Sequence, residues 1–125
     1  VDGQRTTYLA LRDLAEEFTG GRWLALGGGG YSPVRVVPRA WTHLLAIVAG
    51  RDLHPGTPMP PDWIARAAAA RPDVELPIDM SDGTPDVVGY QPWAGHQEMA
   101  VDRAILQTRE AVYPLHGLDP RDPRD

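Results

Sequence analysis

Apolar residues recur at Tyr8, Leu11, Ala15 and Phe18, at spacings of three and four, while Arg5, Arg12, Asp13 and Glu16 fall largely elsewhere. That period predicts an amphipathic helix over 4–18, with Asp2 placed to cap its start and Gly20-Gly21 to stop it. Residues 22–26 are short and apolar without alternation, the pattern of a parallel strand covered on both faces. Val34, Val37, Trp41, Leu44 or Leu45, and Val48 then mark one face of a second helix that ends at Gly50. Ser32 suits its cap and Pro33 its first position. Pro38 lies inside the pattern and predicts a kink or an irregular first turn, because proline has no N–H and clashes one turn back.

The later chain alternates between proline-broken and periodic stretches. Pro55, Pro58, Pro60 and Pro61 crowd residues 51–62, and Pro72, Pro77, Pro85 and Pro92 punctuate residues 71–95. Between them, residues 62–70 predict a short helix turning Trp63 and Ile64 inward. Residues 96–113 predict a last amphipathic helix with Val101, Ile105 and Val112 on one face. Helix, strand, glycine turn and helix together predict an α/β fold, a parallel sheet layered by helices. One strand cannot make a sheet, so the predicted sheet is incomplete in this chain.

The turn between the predicted strand and helix reads Gly27-Gly28-Gly29-Gly30-Tyr31. Glycine alone reaches positive φ without steric cost and lets a ligand approach the backbone closely. A tract of four therefore marks either a sharp path next to something bound or a loop with no order. The flanks favour the first, with Tyr31 a phenol at the lip of whatever the glycines leave open. A phosphate-binding turn is the rival reading. Against it, the tract lacks the G-x-G-x-x-G spacing, no G-K-[ST] follows, and no second βαβ half carries a ribose-binding acid.

Composition narrows the function further. The chain has 125 residues, a net charge of -5 and twelve basic residues, every one of them arginine. No basic stripe suits nucleic acid or a membrane surface, and lysine chemistry is excluded. No cysteine is present, so there is neither disulfide nor thiolate, which fits a reducing cytoplasm. No apolar run approaches membrane-spanning length. His43, His54, His96 and His116 are not spaced as a metal pair. His43 falls within the second helix, where an ordinary helix-surface or packing role is expected. Asp79, Asp82 and Asp86 do not follow the calcium-loop pattern and read as a solvated loop. Arg39 suits either a carboxylate partner or a bound anion.

The tract followed by Val36-Val37-Pro38-Arg39-Ala40-Trp41-Thr42 resembles the C-terminal signature of zinc-dependent deacetylases, the histone-deacetylase and acetoin-utilisation family of the arginase-like fold. The helix with Tyr8, Leu11 and Leu14, then Gly21-Arg22-Trp23, is similar to the segment before that signature. Thr108-Arg109-Glu110-Ala111-Val112-Tyr113-Pro114-Leu115-His116-Gly117-Leu118 is similar to the end of the acetoin-utilisation branch. The resemblance is dense over residues 2–63, thin through the prolines, and returns at the last helix.

The resemblance implies that residues 1–118 are the C-terminal part of a deacetylase domain, with residues 119–125 a disordered tail. It implies hydrolysis of an acyl amide on a protein or a small amine, with Gly28, Gly29 and Gly30 walling a narrow substrate channel and Tyr31 donating a hydrogen bond to the developing oxyanion. It implies zinc, held by two aspartates and a histidine upstream of the segment seen here, with no metal ligand in this chain. The chain begins with Val1 and is expected to be a segment that works with the remainder of the domain and is inactive alone. A non-catalytic interaction module or a degenerate fragment is the alternative.

Overall fold

The computed structural model describes residues 1–83, 93–122 and 124. The chain divides into two compact units, Val1–Tyr90 and Gln91–Asp125. No described helix is long and apolar enough to cross a membrane. Asp86, Pro85 and Pro92 lie outside the described residues.

In the first unit, helix α1 spans Asp2–Thr19. Asp2 is its first residue rather than its cap, and Val1 holds the capping position without a side-chain bond. The stop falls where the glycines place it. Gly20 takes the left-handed conformation (φ 61°, ψ 40°) and its N–H returns to the Ala15 carbonyl, the usual way a helix satisfies its last carbonyls. Helix α2 spans Val37–Val48. Residues 33–36 form turns, and the N–H groups of Val36 and Val37 both reach the Ser32 carbonyl at 3.1 Å. Pro38 therefore sits in the first turn of α2, where its missing N–H has no carbonyl to serve. The irregular first turn replaces a kink.

Helix α3 spans Pro61–Ala70. Before it, Pro58 and Asp79 form an isolated antiparallel bridge, with Met59 N–H on the Ile78 carbonyl (3.0 Å) and Met80 N–H on the Thr57 carbonyl (3.1 Å). The core of this unit is small: Ala40, Leu44 and Ile47 of α2, Met59, Met80 and Ala67. The buried face of α2 thus runs through Ala40, Leu44 and Ile47, while Trp41, Leu45 and Val48 of the predicted apolar face are exposed.

The predicted α/β layering, with its parallel sheet, is not what the chain forms. Among the described residues there is no strand, and the architecture is helical. Residues 22–30 run as irregular chain. Residues 23–31 make no backbone–backbone hydrogen bond among the described residues, and Leu24 and Leu26 are 79% and 81% exposed. The reason is physical: a strand is satisfied only by a neighbouring strand, and its apolar run is buried only by layers on both faces. Neither partner occurs among the described residues.

In the second unit, α4 spans Ala100–Val112 and a 3-10 turn follows over Tyr113–His116. The Asp102 carboxylate accepts the Met99 N–H at 3.0 Å, closing the start of α4. The Arg109 guanidinium is buried between the rings of Trp93 and Tyr113, 5.0 and 4.4 Å from their centroids, and donates to the Asp122 carbonyl at 2.7 Å. An aromatic face attracts a guanidinium by charge and by contact area, so this arginine serves as the core of a unit with few buried apolar side chains.

Candidate functional site

The glycine tract forms one wall of a groove of about 620 Å³. Gly27 to Gly30, Tyr31 and Ser32 line one side, and Tyr8 of α1 with Val37, Trp41 and Leu44 of α2 line the other. Two glycines are dictated by this geometry. A Cβ on Gly27 would lie 2.0 Å from Trp41 Cζ2, so the indole packs where any other residue would place its side chain. Gly30 has φ of 119°, and a Cβ there would lie 3.0 Å from Val37 Cγ2. Only glycine adopts that backbone without strain. Gly28 has open space around it and keeps the groove wall low.

Tyr31 is 98% exposed. It lines this groove and also a second pocket of about 300 Å³, bounded by Pro33, Val34, Arg35, Arg71, Asp73, Val74 and Glu75. The structure therefore brings Gly28, Gly29, Gly30 and Tyr31 together as a unit and leaves the phenol free to meet a ligand from either side. Trp41, expected in the core, is instead a groove residue half open to solvent. Its spacing from the tract does not announce that contact.

Beneath the groove, α2 carries buried polar groups that hold a loop rather than a ligand. Arg39 donates from Nε to the Arg35 carbonyl at 2.6 Å and from Nη2 to Asp82 at 2.9 Å, and its Nη1 donates to the Ser81 carbonyl. The open choice for Arg39 thus resolves to a carboxylate partner. Asp79 accepts the Ser81 N–H at 2.9 Å. Asp2 accepts from the Ser81 hydroxyl (3.0 Å) and the Asp82 N–H (2.9 Å), tying α1 to the same loop. His43 is 1% exposed, with Nε2 2.9 Å from the Met80 carbonyl. Burial pushes its pKa below the usual imidazole value, the nearby Arg5 charge adds to this, and the Met80 carbonyl, Asp2 and Asp52 oppose it. His43 is a packing histidine, neutral and facing away from the groove lining.

The described residues contain no group of three or more histidine or acidic side chains able to hold a metal. The groove lining includes no carboxylate and no imidazole. The zinc that the resemblance implies has no ligand set among the described residues.

Comparison with known proteins places the resemblance on a firmer footing. No family model matches the chain, and no solved structure matches it. Over 69 residues, 55% of this chain, it is 46% identical to the acetoin utilization protein AcuC of Bacillus subtilis (strain 168), of which that stretch is 17%. Over 51 residues, 41% of the chain, it is 41% identical to AcuC of Staphylococcus aureus (strain Mu50), covering 13% of that protein. AcuC of Staphylococcus xylosus is 36% identical over 56 residues, 45% of this chain and 14% of its own length. The likeness to acetoin-utilisation proteins is real over about half of this chain, and the matched stretch spans under a fifth of those relatives.

Proposed function

We propose that this chain is the C-terminal segment of a metal-dependent deacetylase of the acetoin-utilisation type, acting on an acyl amide of a protein or a small amine. The observation that carries the reading is the exposed Tyr31 at the lip of a glycine-walled groove, in a chain with AcuC proteins as relatives. In amide hydrolysis, water attacks the carbonyl carbon, negative charge gathers on the carbonyl oxygen, and the carbon–nitrogen bond breaks to give a carboxylate and an amine. A fixed donor aimed at that oxygen stabilises the transition state more than the substrate. The Tyr31 hydroxyl is such a donor, and the low wall at Gly28–Gly30 admits a narrow acyl chain to it.

The metal, zinc by expectation, is held by residues outside this chain, in the remainder of the deacetylase domain. That remainder is also the partner proposed for the exposed apolar side chains of the first unit, among them Phe18 at 73% exposure, Leu24, Leu26 and Leu45. Exposed apolar area of this kind marks an interaction surface. The isolated chain is accordingly inactive, and the intact protein works in the cytoplasm.

Tyr31→Phe tests the reading in the complete protein. It removes only a solvent-exposed hydroxyl, so the fold should stand while turnover of an acetyl-amide substrate falls by roughly 10²–10³. Turnover equal to that of the parent would remove Tyr31 from the mechanism.

A further inference from the structure

Tyr31 and Ser32 form the partition between two concavities of opposite character. On one side lies the groove of glycine backbone, Val37, Trp41 and Leu44. On the other lies the pocket of about 300 Å³ with four charged side chains. Two of these neutralise one another: the Arg71 guanidinium grips Asp73 through two bonds, Nε to Oδ1 at 2.9 Å and Nη2 to Oδ2 at 2.7 Å. That pairing holds the Asp73 carboxyl down to about 2. Arg35 and Glu75 are left, one cation and one anion, both exposed and neither engaged in an ion pair or side-chain hydrogen bond among the described residues.

A pocket of this size sits at the small end of ligand sites. It presents one free donor fork and one free carboxylate beside the residue proposed to meet an amide oxygen. The complement of that arrangement is a zwitterion: a carboxylate for Arg35, which guanidinium recognises with paired N–H groups, and an ammonium for Glu75. An acyl chain alone would use neither, and an acylated lysine within a polypeptide carries no charge at its backbone ends.

We propose that the pocket bounded by Arg35 and Glu75 binds the α-carboxylate and α-ammonium of a free acylated diamino acid, of the Nε-acyl-lysine type, whose acyl amide lies at Tyr31. The inference rests on the reading of Tyr31 as the residue that meets the amide, and it selects the small-molecule class of substrate over acylated protein.

The test uses two probes titrated into the full chain, with backbone amide NMR shifts as readout. One is free Nε-acetyl-L-lysine; the other is the same compound blocked as the Nα-acetyl, C-terminal methylamide. The free amino acid should shift Val34, Arg35 and Glu75 together with Gly28–Gly30, and bind about tenfold or more tightly than the blocked probe. Arg35→Gln and Glu75→Gln, both at exposed positions, should each erase most of that advantage. Equal binding of the two probes, or an advantage that survives both substitutions, overturns the proposal. If the blocked probe still shifts Gly28–Gly30 in that case, the groove remains an acyl-amide site and only the zwitterion assignment falls. If neither probe shifts the glycines, the reading of Tyr31 falls with it.

Discussion

Two irregular segments of the first unit are placed by α2 in opposite ways. The loop at residues 79–82 is drawn in: Met80 and Ser81 are buried, and Arg39, His43 and Asp2 hold its backbone by hydrogen bonds. The tract at residues 27–31 is left out, with Tyr31 almost wholly exposed and the glycines touched mainly by Trp41 and Val37. Polar residues buried on α2 therefore build the scaffold, and the residues proposed for chemistry lie on the segment that the scaffold leaves open. A buried polar group must be paired, so it reports on structure. An exposed aromatic with no packing role is where function is to be sought.

That contrast can be broken from either side. The largest effect is the loss of turnover in Tyr31→Phe, with a melting temperature unchanged within about 1 °C, because nothing buried is removed. Arg39→Met is the mirror image. It keeps the aliphatic stem but strips the Arg35 and Ser81 carbonyls and Asp82 of their donor, and should lower stability by about 2–3 kcal/mol in urea unfolding. The Met80 amide, bonded to the Thr57 carbonyl, should then exchange with solvent faster. Full stability in Arg39→Met would mean that the loop is not held by α2.

Gly27→Ala probes the tightest contact of the tract. The new methyl must displace the Trp41 ring, at a cost of about 1 kcal/mol or slightly more. Trp41→Leu in the same chain should recover most of it, which a double-mutant comparison of unfolding midpoints would read. A loss that Trp41→Leu leaves untouched would point to a different contact.

The smallest effect concerns pH. His43 is held neutral by burial, its pKa lowered from 6.5, so between the lowered value and 6.5 the unfolded chain binds more protons than the folded one. Stability should be complete above pH 6.5 and decline as pH falls below it, levelling off under the folded-state value. His43→Gln should flatten that part of the profile; an unchanged slope would assign it to another group.

Much of the helical frame was legible in the sequence. The stop of α1 at Gly20 and the short α3 follow from local rules of period and capping. Helix α4 was legible as a helix, but Val101 and Val112 of its predicted apolar face are exposed. Arg5, Arg39 and Arg109 were not legible as buried residues, since burial of a guanidinium depends on which carbonyl, carboxylate or ring lies beside it. The strand over 22–26 was legible only as a preference. Trp, Leu and Ala in a short run have no strand to be until another segment supplies the hydrogen bonds.

The sequence by itself located helices α1 to α4 and the stop of α1 at Gly20, though not the starts of α2 and α4. It also marked Gly27–Tyr31 as an exceptional turn and carries a likeness to acetoin-utilisation proteins over about half of the chain. Tertiary structure alone decided that α2 buries Ala40, Leu44 and Ile47 rather than Trp41 and Val48, and that Trp41 closes on Gly27. It alone placed Tyr31 between an apolar groove and a charged pocket. The division has a physical reason: capping and period act within a few residues of chain, whereas burial and pocket shape depend on side chains far apart in sequence.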